Sequence, residues 1–248
     1  MHFSTIAALL SLSGAVLAAP LNTNQTVDAP EGPAESNSTA NNLDLITKLE
    51  NAATAVDRFA LLNDGSDWKF DFNAPPGGIT KGKGGMTVRS DRKLFPALIG
   101  TGVSMTVGFL GPCGFNTPHT HPRSSEINIV IEGRLGTNFI GENGGPLITN
   151  TLDKLQMTVF PQGALHTEFN PDCDSAIFVA GFASEDPGVQ QVAQTLFSVQ
   201  ESVLSADLGL QGTDSINGQD IEAFKDKLPA NVALGVESCL AKCHIKKN

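Results

Sequence analysis

The chain has no tyrosine and only one tryptophan, against 14 phenylalanines, 25 glycines and 14 prolines. This composition points to a turn-rich β protein whose interior is filled by Phe. Positive charge is scarce: 16 Lys plus Arg face 26 Asp plus Glu, a formal net charge of −10. Nucleic acid and anionic membranes both require concentrated Lys and Arg, so neither is expected as a partner. No G-x-S-x-G occurs, which removes a hydrolase nucleophile elbow built around Ser124 or Ser125. No internal repeat is present. Hydrophobic residues at 40% and charged residues at 17% leave enough apolar mass for a core and exclude wholesale disorder.

Long hydrophobic runs are equally scarce. Ile6 to Leu17 is interrupted only by Ser and Gly and falls short of the roughly 20 residues that span a bilayer. With small residues at Val16-Leu17-Ala18, residues 1–18 read as a signal peptide, so a secreted protein with no membrane segment in its mature form is expected. Residues 19–41 hold little to bury and read as a flexible tail with glycosylation sequons at Asn24 and Asn37. Residues 42–66 read as an amphipathic helix and linker, with Ile46, Leu49, Ala53, Val56 and Phe59 at helical spacing. From about residue 67 the period becomes two: Val103, Met105, Val107, Phe109; Ile127, Ile129, Ile131; Leu155, Met157, Val159. Such alternation predicts strands with one face inward, in an all-β sandwich, jelly roll or barrel. Asp186-Pro187 predicts a helix start, and a further helix is expected at 220–228 before Pro229.

Five histidines occur, three of them in the β region. His119 and His121 are two apart, so on a strand they leave the same face. Glu126 follows after a turn, and His166 lies just beyond Pro161-Gln162-Gly163. Three imidazoles and a carboxylate form a mixed N/O set suited to a divalent first-row ion, with coordination places left for water or substrate. The four cysteines favour disulfides in an exported chain, with three pairings open; zinc at Cys239, Cys243 and His244 lacks further ligands nearby.

The stretch from Cys113 to Glu126 (CGFNTPHTHPRSSE) followed by Gly133, and Leu155 through Pro161-Gln162-Gly163, His166 and Asn170, resembles the paired signatures of type-1 cupins, in the pattern of germin-like and spherulin-like proteins. The resemblance covers about residues 65–210. It implies a cupin jelly-roll β-barrel over 67–210 with a helical extension over 211–248, and manganese held by the residues matching His119, His121, Glu126 and His166, although another divalent first-row metal would suit the same donors. It also implies an oxalate oxidase or superoxide dismutase type of redox activity on a small molecule, or else a metal-stabilised structural or storage protein of wall or spore. A sugar-binding module without catalysis is a third reading. Asn116 matches one of two family asparagines thought to hold substrate and would donate a hydrogen bond to it; Thr106 stands where the other is expected. Trimers or hexamers are implied by the trailing helices. The family's pairing of the strands bearing His121 and His166 as antiparallel neighbours further implies a Cys113–Cys173 bridge, leaving Cys239–Cys243.

Overall fold

A computed structural model describes residues 38–208 and 227–246. The expected signal peptide and most of the tail, including both sequons, lie outside the described residues, as does most of the helix expected at 220–228.

Two antiparallel six-stranded sheets make up the body. The first runs β1 (Ile79–Gly82), β2 (Gly85–Ser90), β3 (Ser104–Leu110), β10 (Ala176–Phe182), β5 (Glu126–Glu132), β8 (Met157–Phe160). The second runs β11 (Gln190–Gln191), β4 (Gly114–Thr120), β9 (Leu165–Phe169), β6 (Leu135–Ile140), β7 (Ile148–Leu152), with β12 (Ala233–Leu234) also pairing on β4. Among the described residues no strand pairing joins one sheet to the other, so the jelly roll is two packed sheets rather than a hydrogen-bonded cylinder. Leu110, Val130, Leu135, Leu152, Phe178, Ala180, Phe182 and Val232 form one buried apolar cluster. Gly108 is required at its place on β3: a Cβ there would lie 2.2 Å from the Phe178 ring.

The strand periodicity is real, and on β5 and β8 the apolar positions largely take the outer face. Met105, Ile127, Ile131, Met157 and Val159 are exposed, whereas Glu126, Asn128 and Val130 are buried. The alternation located β3, β5 and β8 and left their orientation open, and the inward face of β5 carries polar groups of the site.

The single helix expected over 42–66 is two. α1 (Ser38–Asn51) buries Leu49 against Leu62, Ala97 and Ile99. α2 (Ala55–Leu61) starts afresh at Thr54, whose hydroxyl accepts from the Asp57 backbone N–H while Asp57 accepts from the Thr54 N–H. That reciprocal cap ends the first helix before the periodicity does, and it leaves Val56 and Phe59 exposed. Arg92 ties α1 to the body, pairing with Glu50 on α1 and with Glu185.

No helix starts at Asp186. Residues 186–189 form a loop with Gly188 at φ 65°, and after β11 come α3 (Val192–Leu196) and α4 (Glu201–Asp207). A final helix, α5 (Glu237–Lys242), carries Cys239, with Cys243 at its C-cap.

The disulfides differ from the expected pairing. Cys113 joins Cys239, and Cys173 joins Cys243. Residues four apart on a helix hold their Cβ atoms about 5–6 Å apart, whereas a disulfide needs about 3.5–4.5 Å. Cys239 and Cys243 therefore stand side by side and each reaches a different segment of the β body. The register shares in the correction: His119, not His121, faces His166, and an irregularity between Asn116 and His119 shifts β4 against β9. All four cysteines are thus bonded to one another, which leaves no thiolate for zinc.

Candidate metal centre

The site is built on three strands and one turn. His119 leaves the inner face of β4, with His121 just past the strand's end. Glu126 opens β5, and His166 lies on β9 opposite His119. All four are buried, and one donor atom from each lies within 4.8 Å of the others.

Backbone carbonyls orient the rings. Nδ1 of His119 meets the Thr117 carbonyl at 2.9 Å, Nδ1 of His166 meets the Ala164 carbonyl at 2.9 Å, and Nδ1 of His121 meets the Gly188 carbonyl. A carbonyl only accepts, so each Nδ1 carries the proton and each Nε2 is the atom available to a metal. Ring packing fixes the planes further: Phe160 stacks 4.3 Å from the His166 ring and Phe182 packs at a tilt 4.7 Å from His121, centroid to centroid. Gly188 owes its place to its backbone, held at φ 65°, which side-chain-bearing residues rarely adopt. Arg123 in turn donates from Nε to the Asp186 carbonyl and pairs with the Asp186 carboxylate, both at 2.8 Å. The loop that sequence reasoning assigned to a helix start is thereby the part that holds His121.

Electrostatics centre on Glu126, whose Oε2 lies 3.1 Å from Nε2 of both His121 and His166. Burial would raise its pKa, but those hydrogen bonds and the imidazole charges hold it well below the usual carboxylate range. Burial likewise opposes charge on His166, yet the Glu126 hydrogen bond and the charges of Glu168 and Glu126 push it up to about 9. His119 is lowered to about 3, chiefly by burial, and next by the charge of His166. A site that keeps Glu126 ionised and gathers three imidazoles around it is one a divalent cation would complete.

Glu168 was missed in the sequence. It is fully buried two residues after His166 on β9, hence on the same face. Its carboxyl accepts from Asn116 Nδ2 at 3.1 Å and from Asn128 Nδ2 at 3.4 Å. Burial, reinforced by the charge of Glu126, pushes its pKa up to about 8. The available signal was an acid in phase with His166 on a predicted inward face. Asn116, expected as a substrate donor, directs its Nδ2 at Glu168 and towards Nε2 of His119 at 3.4 Å; its Oδ1 is buried with no partner. A cavity of about 440 Å3 opens above these groups, lined among others by Asn116, His119, His121, Glu126, Thr106 and Phe182.

The architecture agrees with the comparisons. The family model described as Cupin matches residues 71–215, and the chain belongs to the cupin family. Within that class its relatives are spherulins and germin-like proteins. Spherulin-1A of Physarum polycephalum is 42% identical over 206 residues, covering 83% of this chain and 81% of that protein. Germin-like protein 5-1 of Oryza sativa subsp. japonica is 32% identical over 162 residues, 65% of this chain and 72% of the relative. A solved structure of recombinant oxalate oxidase in complex with glycolate superposes with TM-score 0.52 at 28% identity, covering 64% of this chain and 77% of that one.

Proposed function

We propose that this chain is a secreted cupin that holds a divalent first-row metal, manganese in the first place, through His119, His121, Glu126 and His166, and that it acts on a small oxygen-rich molecule in the cavity above them. The observation that carries the reading is the convergence of four buried donors within 4.8 Å, with every imidazole held by its Nδ1 so that Nε2 is free to ligate. Three nitrogens and one carboxylate suit Mn, Fe, Co or Zn; the order of affinities would favour others over Mn, so supply decides. Likeness to an oxalate oxidase solved with glycolate supports a carboxylate substrate.

When bound, the ion would polarise a substrate oxygen or change its own oxidation state. The chain's residues do the rest. Glu126 contributes the one negative ligand, Phe160 and Phe182 wall the rings from water, and Asn116 lines the cavity while its Nδ2 donates to Glu168. Thr106 lines the same cavity and offers a shorter polar group than the asparagine that the germin resemblance expects.

Export is supported by the two disulfides, by the reading of residues 1–18, and by the absence of any helix among the described residues long and apolar enough to cross a membrane. The exposed apolar row on the first sheet (Met105, Ile127, Ile131, Met157 and Val159) supports self-association into trimers or hexamers. Metal analysis of the purified protein, beside peroxide release from oxalate and superoxide decay, tests the reading. Metal at one per chain with activity lost in His121→Ala is the expected result. A metal-loaded protein inert in both assays would favour a structural role, in which the ion stabilises the sheets by mass action.

A further inference from the structure

The inner face of the first sheet continues beyond the metal cluster to a cation. Across the sheet, Arg89 on β2 faces Thr106 on β3, Thr106 faces Ala180 on β10, and Ala180 faces Asn128 on β5. Directly paired residues share a face, and Glu126 lies two before Asn128, so Arg89 and Glu126 project to the same side. Three strand spacings put the Arg89 and Asn128 backbones about 14 Å apart along the sheet. The cavity of about 440 Å3 is lined by both Arg89 and Glu126, and Arg89 is the sole Lys or Arg among its lining residues.

Asp91 aims this side chain without consuming it. Its Oδ2 accepts from Arg89 Nε at 2.8 Å, and its Oδ1 is taken by the backbone N–H groups of Lys93 and Leu94 at 3.0 and 3.1 Å. Of the guanidinium's five N–H donors the four on the Nη atoms have no protein acceptor among the described residues, and they form the fork that matches a carboxylate. Arg89 and Asp91 cancel in charge, as do Asp186 and Arg123 at the rim. Glu126 with a divalent cation leaves one positive charge, so the loaded cavity favours an anion. At the cluster end, Asn116 contributes an unpartnered acceptor, Oδ1, in a residue 9% exposed, which calls for a donor such as a hydroxyl.

From this we propose that the cavity binds a hydroxydicarboxylate of about four carbons, with its hydroxy-acid end at the metal cluster and Asn116 and its distal carboxylate on Arg89. The proposal rests on the metal reading above and extends it to a substrate class. Oxalate has its two carboxyl groups directly bonded and is too short to meet both ends.

L-Malate and 2-hydroxybutyrate differ only in the distal carboxylate and so isolate Arg89. The metal-loaded full-length protein is titrated with each by calorimetry, its metal content measured before and after. Malate is expected to bind at least roughly tenfold more tightly, the gain of one charge-assisted bidentate contact. In Arg89→Gln that gap closes while 2-hydroxybutyrate binds as before, and Arg89→Lys restores part of it. Equal affinities in the native protein, or a gap that survives Arg89→Gln, with metal retained throughout, overturn the assignment and leave the metal reading standing. A protein that holds no metal overturns both.

Discussion

The two ends of this fold are secured by different chemistry. At one end three imidazoles and Glu126 crowd together, and their arrangement relies on hydrogen bonds to single backbone carbonyls and on the loop at 186–188. At the other, α5 is fastened to the β body by two disulfides closing 126 and 70 residues of sequence, by Lys242 on Asp172 at 2.8 Å, and by Asp172 held bidentately by Arg134 at 2.7 Å. Those hydrogen bonds from Arg134 and Lys242 bring the Asp172 carboxyl down to about 2. The difference teaches that stability and reactivity are separated: covalent closure holds the end without chemistry, so the other can keep buried like charges and unpartnered polar atoms that a stable core would not.

Breaking the covalent end should have the largest effect on folding. Cys113→Ser with Cys239→Ser is expected to lower the unfolding free energy by about 2–5 kcal/mol, as removal of a native disulfide commonly does, read by denaturant titration. The metal stoichiometry of the folded fraction should be unchanged. A peptide map of the non-reduced protein should show Cys113 with Cys239 and Cys173 with Cys243; any bridge between Cys239 and Cys243 would erase the contrast.

Breaking the other end should do the reverse. His121→Ala is expected to lower metal affinity more than about a hundredfold, beyond what loss of a supporting hydrogen bond costs, while the metal-free variant unfolds near the metal-free native protein. Removing metal from the native protein should lower its stability by about 2.7 kcal/mol where metal stands at a hundred times its dissociation constant, a shift visible in calorimetry.

A smaller effect is expected one step out. Gly188→Ala puts a side chain on a backbone held at φ 65°, and relief of that strain displaces the carbonyl that holds His121 Nδ1. Metal affinity should fall about 10–100-fold, the range for groups that orient ligands, with the ligand set intact by spectroscopy.

The pH response of the metal-free protein is the finest test. His166 sits at about 9 and Glu168 at about 8 when folded, above the values both take when unfolded, so the folded state binds the extra protons. Stability is then highest below the unfolded pKa values and falls as pH rises through about 8 and 9. His119, lowered to about 3, works against Glu168 below its unfolded value near 6.5 and is silent above it. Thermal scans from pH 6.5 to 9 should therefore show a declining melting temperature without metal and a flatter one with it. Glu168→Gln should shrink the decline, and a curve that rises over this range would contradict the assigned protonation.

Much of this was legible in the residues. The His-x-His pair, Glu126 and His166 stood out by type and spacing, and each is in the cluster. Glu168 escaped because a lone acid on a strand looks like a solvated residue until the strand's inner face is known. The disulfide pairing escaped because it depends on where a helix 70 and 126 residues away comes to rest.

Sequence by itself determined the local facts: which stretches alternate, where Gly and Pro turn the chain, and which side chains can ligate. Tertiary structure alone decided which face of β5 is inside. A two-residue period is satisfied equally by either face, and here apolar Ile127 and Ile131 look outward while Glu126 and Asn128 look in. Only the packing of the second sheet, which brings His119 and His166 against Glu126, makes the polar side the interior one.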